Sequence, residues 1–229
     1  MIYSILLRIP LITVIASAIL IVPIFLGIIN MKEWKKDDSL RVIFVYCIIY
    51  ALFEIIGWYY ALNHWQNHFL SNTLTYLNLY IWGYYFYTVI FNLNHRKVIA
   101  LIVTISTIIM FWSSFTNVNG YNYIDSFVHS VSNIAILAMS LLFFYQLLNN
   151  LEINNLLNYS HFWISVGVLV YFSGIFFVHV FAEFITFNKD DSVVQFWSVE
   201  DYLLFIQRIF LAIGLWFSKT PQQLSPLSK

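Results

Sequence analysis

The stretch IPLITVIASAILIVPIFLGII, residues 9–29, contains no charged side chain and is long enough to cross a bilayer as a helix. A helix rises ~1.5 Å per residue, so about 20 apolar residues cover a hydrocarbon core of ~30 Å. Further apolar runs of similar length follow at residues 40–62, 69–91, 98–115, 124–148, 162–187 and 199–218. We therefore predict an all-α polytopic membrane protein, a bundle of seven transmembrane helices.

The composition excludes a large soluble domain. Hydrophobic residues make up 61% of the 229 residues and charged residues only 10%, whereas soluble domains average about 25% charged residues. Residues 1–218 are predicted to form one transmembrane domain, and residues 219–229 a short cytoplasmic tail. The net charge of zero provides no basic field for a nucleic-acid partner, so the predicted environment is the lipid bilayer.

The distribution of Lys and Arg predicts the orientation. Cytoplasmic loops carry an excess of these residues. One set of loops and the tail contains Lys32, Lys35, Lys36, Arg41, Arg96, Lys97, Lys219 and Lys229, and the other set contains only Arg8 and Lys189. This bias predicts an outside N-terminus and a cytoplasmic C-terminus in a multi-pass cell-membrane protein.

Several local signals predict details of the bundle. Pro23 lies inside the first run and should kink that helix. The segment 37–39 offers N-cap side chains for the second helix. The sixth run contains small residues, which allow helices to approach closely in lipid: Ser165, Gly167, Ser173 and Gly174.

Ionisable side chains inside the runs carry the functional signal, because each costs about +2.5 to +3.5 kcal/mol at a helix centre unless it has a partner or a purpose. With the predicted orientation, all lie at mid-depth or in the outer half. Helical spacing places Asp125, His129 and Asn133 on one face, and His179 and Glu183 on another. We predict an outward-facing polar ligand pocket formed by Glu54, Asn78, Asp125, His129, Asn133, His179, Glu183 and Arg208.

Two alternatives to a ligand pocket remain open at this stage. In a purely structural interpretation, Arg208 pairs with Glu54 or Glu183, and the histidines hold the helices in register. In a metal-site interpretation, His129, His179 and Glu183, with Asp125, are suitable ligands, although no HExxH or HxxxH motif supports this. The remaining histidines are predicted to be surface or interfacial residues: His64, His68, His95 and His161.

No cofactor and no catalytic residue is predicted. Seven spans with an outside N-terminus also describe rhodopsins, but a retinal Schiff base requires a lysine in the middle of the seventh helix. That run contains Arg208 and no lysine before Lys219, which argues strongly against retinal. Nucleophilic triads, phosphate-binding loops and CxxC pairs are also missing from the sequence, so the balance is against an enzyme.

The segment FWISVGVLVYFSG, residues 162–174, resembles a group of poorly characterised bacterial seven-transmembrane proteins. Some of these resemble the sensory input modules of membrane histidine kinases. The seventh run, residues 202–218 with AIGLW at 212–216, is similar to the same group. In that group a proline commonly precedes the Phe-Trp pair and an acidic residue occurs in the third span, where this chain has residues 159–161 (Tyr-Ser-His) and Asn78. The resemblance implies a sensory role and transfers no catalytic residue.

The function expected from these observations is a receptor-like or sensor-like module that signals to a separate cytoplasmic or membrane partner. Contact with that partner is expected through residues 30–39, residues 92–97 or the tail. A membrane-embedded, metal-dependent lipid hydrolase and a small-solute transporter are the alternatives. The lack of an internal repeat argues against a transporter built from inverted repeats.

Overall fold

The computed structural model describes residues 10–34, 37–116, 125–149, 155–187 and 192–219, and within these ranges all regular elements are helical. Of the predicted tail, only Lys219 falls among the described residues. Arg8 and Lys189 lie outside them. The helices are α1 (Leu11–Ile19), α2 (Ile21–Ile29), α3 (Met31–Trp34), α4 (Asp38–Leu62), α5 (His68–Val89), α6 (Leu93–Thr116), α7 (Ser126–Asn149), α8 (Ser160–Phe187) and α9 (Ser192–Phe217), with a 3₁₀ turn at Leu156–Asn158.

Among the described residues, five helical segments are long and apolar enough to cross a membrane, as expected for a multi-pass membrane protein. The third and seventh predicted runs form α5 and α9, with 22 and 26 residues, and these two helices are not among the five. Polar and aromatic side chains lower the hydropathy of α5, whereas α9 contains Glu200, Asp201 and Arg208. The five segments are Leu11–Ile29, Asp38–Leu62, Leu93–Thr116, Ser126–Asn149 and Ser160–Phe181.

An aromatic core joins α4, α5 and α8. The Trp82 ring is completely buried, and its centroid lies 4.9 Å from the Tyr46 ring, 5.6 Å from the Tyr85 ring and 6.3 Å from the Phe172 ring. α8 packs between α7 and α9, and α9 in turn packs against α1 and α2. The large, shaped rings fix the mutual position of three helices.

The first run is interrupted at Leu20, where α1 ends and α2 begins. Pro23 lacks the N–H that would donate to the carbonyl of Ile19, and a proline ring clashes with the carbonyl four residues before it. The Leu20 N–H accordingly donates to the Ser17 carbonyl, three residues back, at 3.3 Å. The interruption agrees with the predicted kink and locates it one turn before the proline.

Asp37 caps the N-terminus of α4, as the sequence predicts. Its carboxylate accepts from the N–H groups of Ser39, at 2.9 Å, and Leu40, at 3.4 Å. These are two of the backbone donors that a helix start leaves without an intrahelical partner. The cap therefore fixes the position at which the chain enters the second predicted span.

Small residues bring α8 and α9 together, also as predicted. A Cβ atom at Gly167 would lie 2.7 Å from Cβ of Phe210, and one at Gly214 would lie 3.1 Å from the Ser160 carbonyl oxygen. A Cβ atom at Gly174 would lie 2.7 Å from the Leu203 side chain. Close backbone approach of this kind favours helix association in lipid, where apolar area alone provides little drive.

Gly167→Ala is expected to destabilise the bundle by about 1 to 3 kcal/mol, because the new methyl group overlaps Phe210 and forces α8 and α9 apart. Gly57→Ala is the matched control, since no atom lies within 4 Å of a Cβ at that position. Thermal unfolding of both variants in detergent measures the effect. Equal stability of the two variants would contradict close packing at Gly167.

Candidate functional site

The contacts of the residues predicted to form an outward pocket fall into two groups within the described part of the chain. His179 on α8 contacts both His129 and Asn133 on α7, and Arg208 on α9 pairs with Glu54 on α4. The backbone of Glu183 continues α8, but its side chain lies outside the described part of the chain.

The two histidines form a stacked pair. The ring centroids of His129 and His179 lie 4.4 Å apart with an interplanar angle of 26°, and the side chains are 6% and 5% exposed. Nδ1 of His179 lies 3.1 Å from Nδ2 of Asn133 and 3.1 Å from the Ile175 carbonyl oxygen. A buried imidazole is therefore provided with polar partners on two helices, as burial of a polar group requires.

α5 completes the surroundings of this pair. Oγ1 of Thr75 lies 3.0 Å from Nδ1 of His129, and Oδ1 of Asn72 lies 3.2 Å from Nε2 of His129. Asp125 starts α7, and its Oδ1 accepts from the Val128 N–H at 3.1 Å while its buried Oδ2 has no hydrogen-bond partner. The start of α5, the start of α7 and the later part of α8 thus meet at what we call the histidine-pair end of the bundle.

The geometry of the pair bears on the metal hypothesis. Nearly parallel rings present their nitrogen atoms side by side, whereas a zinc ion needs ligand nitrogens that converge on one point at about 2.0–2.1 Å. Within the described residues, no group of three His, Cys, Asp or Glu side chains could hold a metal ion. The observed arrangement is suited to hydrogen bonding between helices.

Arg208 ties three helices together. Its guanidinium donates from Nη2 to Oε1 of Glu54 and from Nη1 to the Ala16 carbonyl oxygen, and its Cζ lies 5.1 Å from the centroid of the Tyr50 ring. The side chain is only 2% exposed. The pairing with Glu54 is the one that the structural interpretation of the sequence anticipated, and it supplies the partners that a buried charge needs.

Two further carboxylates lie on α9 near this ion pair. Oγ1 of Thr13 donates to Oδ2 of Asp201 at 2.5 Å, and Asp201 interacts electrostatically with both Arg208 and Glu200. The contact with Thr13 adds a second link between α1 and α9. Sequence reasoning did not identify Glu200 or Thr13, because neither stands in a recognisable pattern.

A second buried polar cluster lies at the opposite end of the bundle, which we call the Asp37 end. Nε2 of His161 lies 3.3 Å from Oδ2 of Asp37 and 3.3 Å from Oγ of Ser39, and the Tyr85 hydroxyl lies 3.2 Å from Nδ1. The Ser39 hydroxyl also donates to Oδ1 of Asp37. The starts of α4 and α8 and the later part of α5 are therefore joined through one imidazole.

The prediction that His161 is a surface or interfacial residue was wrong, because this side chain is only 4% exposed. The sequence contained a usable signal. Asp37 and His161 each stand at the start of a predicted helix, and both starts were predicted to lie on the cytoplasmic side. An acid and a histidine at equal depth are natural partners, but the sequence did not reveal that α4 and α8 are close at this point.

The electrostatics of Asp37 follow from this cluster. Burial by itself would raise the pKa of the Asp37 carboxyl, but the hydrogen bond to His161, the charge of His161 and the bonds from Ser39 outweigh it. The net result is a pKa well below the ordinary value of 3.8. The ionised form of Asp37 is thus favoured by its partners in the folded state.

An apolar groove of about 300 Å³ lies between α4 and α5, away from the predicted pocket. Its lining combines aliphatic and tyrosine side chains with one arginine at the α4 start. The groove is lined by Arg41, Val42, Val45, Tyr80, Ile81 and Tyr84. None of these residues belongs to the predicted ligand pocket.

The fold defines a helical, multi-pass membrane protein whose interior contains polar clusters at both ends. No model of a protein family, no curated protein and no solved structure matches the chain. The resemblance to seven-transmembrane sensory modules therefore stays a prediction that depends on α8 and α9.

Removing either partner of the Arg208–Glu54 pair is expected to destabilise the bundle by about 3–5 kcal/mol, because the remaining charge stays buried without its counterion. Arg208→Met, Glu54→Gln and the double variant form a double-mutant cycle. The double variant should lose less stability than the two single variants lose in sum. Unfolding in detergent measures all three.

The control for this cycle is Arg41→Met, which removes an exposed ion pair with Asp38 (3.0 Å) and should cost less than about 1 kcal/mol. Additive losses in the cycle would show that Arg208 and Glu54 do not stabilise each other.

Stability should fall at acid pH through Asp37. A carboxyl whose pKa is lowered by folding stabilises the protein above its ordinary pKa of 3.8, and this contribution disappears as the pH falls through the folded value. Asp37→Asn keeps a good N-cap residue and should lower the free energy of unfolding by on the order of 1 kcal/mol near neutral pH. The difference in the free energy of unfolding between wild type and variant, measured by unfolding in detergent, should shrink below pH 3.8. A difference that stays constant with pH would contradict the lowered pKa of Asp37.

Proposed function

We propose that the chain is a seven-helix receptor-like module of the cytoplasmic membrane that binds a polar ligand at its histidine-pair end and signals to a separate protein. The observation that carries this proposal is the buried, stacked pair of His129 and His179, which joins α5, α7 and α8. The two rings stack on one another, and each hydrogen-bonds to neighbouring groups: His129 to Thr75 and Asn72, and His179 to Asn133 and the Ile175 carbonyl. A polar ligand can exchange for those bonds with little net cost, because each lost bond is replaced.

α8 supplies the physical link between the two ends. It carries His179 near one end and His161 at the other, 18 residues apart in the same helix, which corresponds to about 27 Å along the axis. A rigid helix that shifts when its bonds to α5 and α7 are exchanged also moves its other end. Such a shift of packed helices is a known means of coupling two distant sites.

The segments expected to contact a partner are bonded to the helices that would move. Asp37 contacts His161 of α8, Nδ2 of Asn30 donates to the Leu215 carbonyl of α9 at 2.7 Å, and the Asn92 N–H donates to Oε1 of Gln146 of α7 at 3.3 Å. A change in helix packing would therefore alter the surface that residues 30–39 and 92–97 present. These bonds support signalling by helix repacking. Such signalling would need no output domain among the described residues.

The proposed topology is tested by cysteine labelling in intact cells. Cys47 is buried and free, so Cys47→Ala provides a background for Gln66→Cys and Asn94→Cys, which lie before and after α5. A membrane-impermeant maleimide should label Cys at 66 from outside and Cys at 94 only after permeabilisation. Labelling of both positions from one side would refute a membrane-crossing α5, and the reversed pattern would refute the orientation.

The signalling role is tested with His179→Leu, which removes the ring stacked on His129 and the hydrogen-bond partner of Asn133. Wild type and variant are gently solubilised, and co-purifying proteins and small molecules are identified by mass spectrometry. Wild type should retain a specific membrane or cytoplasmic partner whose occupancy changes in the folded variant. The matched control is Phe177→Leu, an exposed position on the same helix. An identical set of molecules on all three proteins would count against the proposal.

A further inference from the structure

Polar atoms recur along one face of α5 between the two histidine clusters. Thr75, Asn78, Trp82 and Tyr85 follow one another at spacings of three or four residues, so they share a face of the helix. Thr75 at one end contacts His129, and Tyr85 at the other end contacts His161. Thr75 and Tyr85 are ten residues apart in sequence, which corresponds to about 15 Å along the helix axis.

The middle of this face contains buried polar atoms without partners. Oδ1 of Asn78 and Nε1 of Trp82 are buried and make no hydrogen bond, and the buried hydroxyl of Ser165 on α8 interacts with that of Tyr85. Trp82 and Ser165 are both fully buried. Orphaned polar atoms are costly in a core, and in native proteins such atoms usually bind ordered water.

The spacing of these groups suits single water molecules. Steps of three or four residues correspond to about 4.5–6 Å along α5. A water that bonds a group on each side, with O···O distances of about 2.8 Å, covers nearly the same length. Water molecules at these steps would connect Thr75, Asn78, Trp82 and Tyr85 in a single hydrogen-bonded chain, which we call the file.

We propose that this file conducts protons through the bundle, from the His129–His179 pair to the His161–Asp37 pair. The inference rests on the seven-span arrangement proposed above, since it requires α5 to cross the membrane. An imidazole accepts a proton on one nitrogen and releases one from the other, and water and the Tyr85 hydroxyl pass protons in the same manner. The indole N–H of Trp82 is a donor only, so Trp82 orients water and does not itself carry the proton.

The groups around each end are suited to this transfer. His129 faces His179 from α8, Thr75 and Asn72 from α5, and Asp125 from the start of its own helix. The unpartnered Oδ2 of Asp125 offers an acceptor for an entering proton.

At the other end, His161 faces Asp37, Ser39 and Tyr85, and its ring lies 5.3 Å from that of Tyr159. The side chain of Asp37 is 32% exposed and opens this cluster to the aqueous phase. A proton on Nε2 of His161 can therefore pass to the Asp37 carboxylate and then to bulk water, and no other bond is made or broken.

Proton flux into sealed liposomes tests the inference. Full-length protein is reconstituted with a pH-sensitive dye inside, and valinomycin with a potassium gradient supplies the driving potential. Wild type should change the internal pH faster than protein-free liposomes. Tyr85→Phe removes the hydroxyl that connects the file to His161, so its flux should fall to the protein-free level.

Tyr84→Phe is the matched control, because Tyr84 is 53% exposed on the adjacent face of the same helix and should keep the wild-type flux. If Tyr85→Phe fails to fold, Ser165→Ala and Trp82→Phe, which each remove a single buried polar atom, should each lower the flux. Flux equal to that of protein-free liposomes for wild type, or unchanged flux in folded Tyr85→Phe, would overturn the proton path. Cysteine labelling that still places α5 across the membrane would then leave the proposed topology standing.

Discussion

The buried guanidinium of Arg208 is the constraint on which the arrangement of α1, α4 and α9 depends. A charge that is almost excluded from solvent needs a counterion and further acceptors, and it finds them in Glu54 and the Ala16 carbonyl oxygen. Those partners belong to helices distant in sequence, so the ion pair specifies which helices meet and at what depth. Apolar packing alone would leave such choices open, because lipid tails compete with any apolar helix face.

The polar interior is organised in layers. One imidazole layer joins α5, α7 and α8, and another joins α4, α5 and α8, with the aromatic core around Trp82 between them. α5 and α8 take part in both layers. The buried face of α5 can therefore carry polar groups such as Thr75 and Tyr85, because other helices supply their hydrogen-bond partners.

Much of the fold could be predicted from apolar run length, since each predicted run corresponds to helical segments, and the Asp37 cap and the Pro23 interruption have local causes. The candidate site was only partly predictable. Helical spacing predicts that His129 and Asn133 share a face of one helix, but sequence spacing contains no information on which helices are neighbours, so the partners of these residues on α5 and α8 could not be predicted. His161 was misassigned for the same reason, because its partners Asp37 and Tyr85 come from other helices.

The interruption of the first helix has a consequence for where a charge can be held. In an unbroken helix the N–H of Leu20 would occupy the carbonyl of Ala16, four residues back. Here that N–H turns to Ser17 instead, and the Ala16 oxygen is free to receive the guanidinium of Arg208. A proline that takes no part in the ion pair thus creates one of its acceptors, and the backbone defect of one helix becomes the binding site for the side chain of another.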